Sequence, residues 1–250
     1  EDAPSSVSVI PSQELRAMAY PTIAEALRGT RGVSISDDRN YLSLGFRGFS
    51  RPGDYGNRVL VLLDGHPTND NWLNSSYVGY DARTDLDDVE RIEVVRGPGS
   101  VLYGTGAFSG VVNVVTRGRT ANNGVELGLS TNEYGTARAR VGLRLRSGDR
   151  MGLWLSVAGA RSPGRDFYFG ELVRPASGMT PAFDGAARNA DGFDAGTVTG
   201  RAWYRALTLQ WLLHSRSKMI PTGAFDTALG LPGSYLADTR GLLELRFEPQ

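Results

Sequence analysis

Between Tyr134 and Arg146 the arginines fall on one parity and the apolar residues on the other: Arg138, Arg140, Arg144 and Arg146 against Ala139, Val141, Leu143 and Leu145. A period of two marks a β-strand with two chemically different faces, because successive side chains leave opposite sides of the pleat. The pattern continues through Met151, Leu153, Leu155 and Val157. It recurs as Leu207, Leu209, Trp211 and Leu213 against Thr208, Gln210, His214 and Arg216, and as Leu243, Leu245 and Phe247 against Glu244, Arg246 and Glu248. Weaker strands are read at Val125–Thr131 and Phe193–Arg205, which makes six. Sandwiches alternate in the same way, so parity alone does not say what each face meets.

The first 118 residues read differently. Val7–Ile10 is a short strand stopped by Pro11. Ser12 is expected to cap one or two helical turns at Glu14–Met18, and Thr22 to cap a helix reaching Arg28, closed by Gly29 and Gly32. Short strands are read at Val33–Ile35 and Tyr41–Phe46, with a turn-rich loop at Ser50–Asn57. Arg58–Leu63 is a buried strand ending in the turn dipeptide Asp64-Gly65. His66–Asp85 is a long polar loop carrying Trp72, Tyr77 and Tyr80. Leu86–Arg117 closes the unit: a strand, a glycine-spaced fold-back from Gly97 to Gly110, and a strand dense in β-branched residues.

Composition removes several kinds of chemistry. The chain has no cysteine, so disulfides, zinc ribbons and thiol nucleophiles are excluded, and its two histidines are far apart in sequence. No run of apolar residues reaches the ~18 needed for a transmembrane helix, and no signal peptide is visible at the start. The 32 glycines suit a turn-rich β protein. Formal charge is zero, which gives no general footprint for nucleic acid. That balance conceals an asymmetry: residues 1–118 hold 15 acids and 11 arginines, and residues 119–250 hold 16 bases and 12 acids. The Gly97–Gly110 segment lacks the Lys-Ser/Thr ending of a phosphate loop. Asp64 beside His66 reads as a turn rather than an acid–base pair, and Asp85, Asp87, Asp88 and Glu90 read as a solvated run. A hydrolase has only scattered acids and the two distant histidines behind it.

Four segments, in this order and spacing, carry a resemblance: TIAEALRGTRGV at 22–33, LGFRGF at 44–49, RVLVLLDG at 58–65, and the stretch Val89–Arg117 with VERIEVVRGP, SVLYG and GVVNVVT. Together they resemble the plug domain of TonB-dependent outer-membrane receptors. The resemblance implies an α+β plug domain over residues 1–118. It is followed over 119–250 by antiparallel transmembrane β-strands of an incomplete β-barrel, ~22 strands when whole. Loop lengths agree with that reading. The turns at Ser147–Arg150 and Arg205–Leu207 are tight and the connections at about 162–192 and 217–237 are long, as on the two sides of a barrel, although the connection near Asn132–Tyr134 is short. The charged parity is then expected to face the lumen, with Trp154, Trp203 and Tyr204 as girdle residues. Six strands cannot close around a plug, so the chain is expected to be the N-terminal part of a longer protein.

By resemblance the expected activity is a non-enzymatic, ligand-gated outer-membrane receptor and transporter for a scarce nutrient in a Gram-negative bacterium. Ferric siderophores, cobalamin, glycans and nickel chelates are the ligand classes open to it. The implied partners are the TonB energy-transducing complex, the small ligand, outer-membrane lipid and the remainder of the barrel, with no nucleic acid, cofactor, catalytic residue or metal site. The short coupling segment that the family carries ahead of its plug is not recognisable before Ala3. Family position places Arg47 and Arg96 as plug–barrel latches, with a local ion pair or carbonyl contact as the other reading. It places the loops at 50–57 and 66–80 at the outward apex, with Tyr55, Asn69, Asp70, Trp72, Tyr77 and Tyr80 as ligand contacts. The competing reading is that these aromatics pack the loops against the barrel wall. A plug-containing binding or assembly subunit without transport activity is the alternative function.

Overall fold

The structure, a computed structural model, describes residues 6–51, 53–118, 122–132, 134–178, 182–227, 229 and 233–249. Residues 1–5, at the start of the expected plug domain, lie outside the described residues. The N-terminal part holds β1 (Ser6–Pro11), α1 (Ser12–Ala17), α2 (Ile23–Leu27), β2 (Val33–Asp37), β3 (Leu42–Phe46), β4 (Val59–Leu63), β5 (His66–Pro67), β6 (Val89–Arg96), α3 (Ser100–Tyr103) and β7 (Gly110–Thr116). Five strands form a mixed sheet in the order β1-β6-β7-β4-β5, with β4 and β7 parallel, and β2–β3 is a separate hairpin.

β4, VLVLL, is buried along its whole length because both faces of its sheet are covered. Val59, Val61 and Leu63 join the main core with Phe46, Leu27 and Ile92, while Leu60 and Leu62 pack on the other side with Ala107 and Val111. Thr22 caps α2 as expected, accepting from the Glu25 N–H at 3.3 Å. Ser12 does not cap α1: the N-cap is Pro11, and the Ser12 hydroxyl instead accepts from Arg16 at 3.3 Å. The fold-back between β6 and β7 contains one helical turn, α3, that the glycine spacing did not suggest. Its Val101 and Leu102 are exposed.

The C-terminal part holds β8 (Gly124–Thr131), β9 (Ala137–Ser147), β10 (Met151–Ser162), β11 (Arg165–Tyr168), β12 (Ala186–Ala190), β13 (Phe193–Tyr204), β14 (Leu207–Met219) and β15 (Tyr235–Phe247). Six of these form one antiparallel sheet, β15-β14-β13-β10-β9-β8, and β11–β12 extends the long connection between β10 and β13 as a hairpin. The sheet packs against the plug. Its charged parity faces inward, with Arg140, Gln210, His214 and Arg216 buried, and its apolar parity faces out, with Val141, Leu145, Leu213, Leu243 and Leu245 exposed. No helix among the described residues is long and apolar enough to cross a membrane.

The girdle expectation fails for two of its three residues. Trp154 and Trp203 sit on the inward parity and are buried, and the Trp203 ring lies over Gly152. Tyr204, on the outward parity, is exposed. Leu212 of β14 enters the plug's own core cluster, so part of the seam is apolar. Burial of one such side chain is worth about 1.5–3 kcal/mol.

Candidate functional site: the plug rim and its seam with the sheet

Polar contacts join plug and sheet at three levels of the seam. Nearest the tight turns, Asp64 follows β4 with φ +51, and Gly65 continues the left-handed turn at +85. This turn aims the Asp64 carboxylate at the wall. It meets Arg201 of β13 at 2.8 Å, accepts from Gln210 Nε2 of β14 at 2.7 Å, and accepts from the N–H and hydroxyl of Thr116 at 2.8 and 2.7 Å. The sequence offered only a turn here. An acid whose partners lie about 140 positions downstream leaves no local signal.

In the middle, Arg83, Asp85 and Asp88 are all buried, which overturns the solvated reading of that run for Asp85 and Asp88, while Glu90 stays exposed. Arg83 pairs with Asp88 and donates to the Asp85 carbonyl at 2.7 Å. Arg140 of β9 approaches Asp85 at 3.4 Å and Glu126 of β8 at 3.1 Å. Burial, and next the neighbouring Asp88 carboxylate, push Asp85 up to about 6 against the pull of Arg83 and Arg140. Beside this cluster the Thr84 hydroxyl and N–H both contact Thr197 Oγ1 at 3.1 Å, and Thr197 in turn meets His214 Nδ1 at 2.9 Å.

Toward the long connections the seam becomes aromatic. Tyr41 packs edge-on against Tyr55 and Tyr77, both at 5.8 Å between ring centroids. The Tyr41 hydroxyl donates to Asp238 of β15 at 2.8 Å, and Asp238 pairs with Arg216 at 2.6 Å. Arg216 lies over Tyr41 and Arg240 over Tyr77 at 5.0 and 3.3 Å, contacts in which a guanidinium meets a ring's negative face. Tyr80 stacks on Phe193 of β13 at 4.5 Å. A cleft of about 560 Å³ opens between plug and sheet here, lined by Tyr20, Tyr41, Tyr80, Arg165, Phe193 and Lys218 among others. Asp81 borders it, wholly buried, with neither carboxylate oxygen hydrogen-bonded. Burial raises its pKa despite Arg216 and Arg240.

The expected apex residues separate into three groups. Tyr55, Tyr77 and Tyr80 belong to the aromatic seam. Asn69 and Asp70 build the loop: Asn69 accepts from the Val61 N–H at 2.8 Å and donates to Val59 and Asn74 carbonyls. Asp70 accepts from the Trp72, Leu73 and Ser75 N–H groups at 2.7, 2.7 and 2.9 Å. Burial would raise the Asp70 carboxyl, but those donors hold it down at about 2. Trp72, on the loop so fixed, is 88% exposed.

The two expected latch arginines meet plug atoms within the described residues. Arg96 donates to the Arg31 carbonyl at 2.6 Å and to the hydroxyls of Ser6 and Ser8 at 2.6 and 2.8 Å. Arg47, exposed, reaches the Arg96 carbonyl at 3.5 Å. Arg96 Nε is buried without an acceptor. No cluster of metal-ligating side chains occurs among the described residues.

Comparison with known proteins bears on this arrangement. The family model described as TonB-dependent Receptor Plug Domain matches residues 1–111. The iron-regulated outer membrane virulence protein of Vibrio cholerae is 34% identical over 47% of this chain and 18% of its own length. A ferric enterobactin receptor of Pseudomonas aeruginosa is 29% identical over 94% of this chain and 32% of its own. Among solved structures, the ferric-catecholate import receptor Fiu of E. coli K12 superposes with a TM-score of 0.60 at 18% identity, covering 87% of this chain and 28% of that one. The ferric yersiniabactin uptake receptor of Yersinia pestis gives 0.58 at 22%, covering 86% and 32%. The chain therefore spans a third or less of the length of these relatives.

Proposed function

This chain belongs to the TonB-dependent receptors, as a plug domain followed by the first strands of a barrel, and from that premise we propose that the whole protein imports a scarce nutrient across the outer membrane. It is an outer-membrane protein of a Gram-negative bacterium, of a family of receptors and transporters rather than enzymes. The ligand binds at the plug rim, where loops 50–57 and 66–80 carry Tyr55, Trp72, Tyr77 and Tyr80. The TonB complex then supplies the work that moves the plug. An iron chelate is the favoured ligand, because relatives include a hemin receptor, ferric enterobactin receptors and a ferrichrome transporter, although one is a vitamin B12 transporter.

The observation that supports this reading best is the contrast within one loop. Asp70 and Asn69 tie its base down through many hydrogen bonds, while Trp72 stands almost fully exposed. A rigid loop presenting a large aromatic suits capture of a ligand with flat apolar surface. The test is uptake of radiolabelled iron chelates by cells carrying the full-length receptor as their only route. Import that stops on removal of the TonB complex or the proton gradient is the expected result. Import that persists without either removes the energised-transport reading.

A further inference from the structure

The plug acids that face the wall are of two kinds. Asp64 is held by short bonds from Arg201 at 2.8 Å, Gln210 Nε2 at 2.7 Å and the Thr116 hydroxyl at 2.7 Å. A buried carboxylate needs such donors to stay ionised, because burial without them favours the neutral form. Asp85 and Asp81 are buried more deeply and lack them. Asp85 accepts from the Asp87 N–H at 3.0 Å, but Arg140 stands 3.4 Å away, beyond the ~2.7–2.9 Å of a charge-assisted bond. Arg140 Nε donates to Ser156 at 2.9 Å instead. Neither oxygen of Asp81 has a hydrogen bond among the described residues. Its Oδ1 lies 2.6 Å from where a Cβ of Gly79 would stand, over backbone carbon rather than a donor.

The charged groups around the two acids are engaged elsewhere. Arg83, beside Asp85, pairs with Asp88, and Arg140 of β9 also meets Glu126 of β8 at 3.1 Å. Near Asp81, Arg216 of β14 pairs with Asp238 of β15 at 2.6 Å, and Arg240 of β15 lies over the Tyr77 ring. Burial pushes both carboxyls up against the pull of these arginines, Asp85 to about 6. His214 of β14 faces the same layer, with Nδ1 on Thr197 and Nε2 unmet. The plug and the described strands already enclose both acids, so no further strand can reach them.

We propose that docking of the plug takes up protons at Asp81 and Asp85, so that acid locks the plug against the wall and neutral pH loosens it. Below about pH 6 the docked Asp85 keeps its proton. Freed into water it titrates as an ordinary aspartate, at ~3.9, and gives the proton up. Docking is therefore favoured as pH falls from 7 to 5. A seam held only by ion pairs does the reverse, because its carboxylates lose their charge in acid. The sign of the pH response separates the two designs.

The experiment measures the urea midpoint for release of the plug in the full-length receptor at pH 5, 6 and 7. A nitroxide on Met18→Cys, an exposed plug position, reports the release. Between pH 7 and pH 5 the docking equilibrium of the wild type should tighten about ten-fold more than that of Asp85→Asn. The gap should widen against Asp81→Asn combined with Asp85→Asn. Every variant keeps His214, so its contribution cancels in the comparison. At pH 7 both variants should hold the plug to higher urea than the wild type, since asparagine brings no charge to desolvate. A folding defect would move that midpoint the other way. Parallel wild-type and variant curves from pH 7 to pH 5, or a wild type that loosens relative to the variants in acid, overturns the inference.

Discussion

Asp64 of the plug and Arg201 of the wall are joined at 2.8 Å, and the two side chains are nearly closed to solvent. Gln210 and Thr116 complete the carboxylate's hydrogen bonds, so the pair is a fixed junction between the end of β4 and the strand pair β13–β14. Removal of one partner strands the other. Arg201→Ala is expected to destabilise plug docking by about 3 kcal/mol, toward the low end for a buried pair because a little solvent access remains. Asp64→Asn combined with Arg201→Met should cost less than Arg201→Ala alone. Protease resistance of the plug in the full-length receptor, compared across this mutant cycle, measures the coupling; additive losses would show that the two side chains do not hold each other.

The Asp85 cluster sets a pH dependence of unusual sign for a carboxylate. Its pKa stands at about 6 in the folded protein, against about 3.9 in an unfolded chain. Across that window the folded state keeps a proton that the unfolded state has released, so this contribution to stability is greatest below about pH 4 and is lost as pH rises to about 6. Asp85→Asn is expected to flatten plug stability over the same range. Denaturant midpoints taken at half-unit steps from pH 4 to 7 give the comparison, and parallel curves for the two proteins would refute it.

Much of this organisation was legible in the sequence because it is local. The period of two at Arg138–Arg146 marked a two-faced strand, whose charged side the resemblance then pointed inward, and the β-branched run from Val111 to Thr116 marked β7. What escaped notice was long-range. Asp85 and Asp88 look like surface acids until Arg83 and Arg140 are seen to enclose them. Trp154 and Trp203 suit a membrane girdle by composition, but their parity sends them inward. The aromatic rim shows the same limit. Tyr77 and Tyr80 could be named from loop 66–80, yet their partners Tyr41, Arg240 and Phe193 come from elsewhere in the chain.

Gly110 opens β7 where the backbone is crowded. A Cβ there would stand 2.7 Å from the Val95 carbonyl oxygen and 2.9 Å from the Phe46 ring, a buried side chain with no room to retreat. Gly110→Ala is therefore expected to destabilise the plug by about 1–3 kcal/mol through overpacking. Gly29→Ala, at a position with no atom within 4 Å of the added Cβ, serves as the control. Equal denaturant midpoints for the two variants would remove the close-approach explanation.

Trp72 and Tyr77 separate ligand capture from loop packing. Trp72 is 88% exposed and buries little, so Trp72→Ala should leave plug stability within about 0.5 kcal/mol of wild type. If the exposed ring contacts ligand, the same change should weaken binding by about 1–2 kcal/mol, some ten-fold, as removal of an aromatic anchor does. Tyr77 is different. Its ring sits under Arg240 and against Tyr41, and burial raises its hydroxyl to about 12 despite Arg240, so it is part of the seam before any ligand arrives. Tyr77→Ala should lower plug stability by about 2 kcal/mol, through lost aromatic and cation–π contacts, whatever it does to affinity. Ligand titrations and denaturant curves on the same two variants decide the matter. A Trp72→Ala receptor with wild-type affinity would leave the rim aromatics as wall packing only.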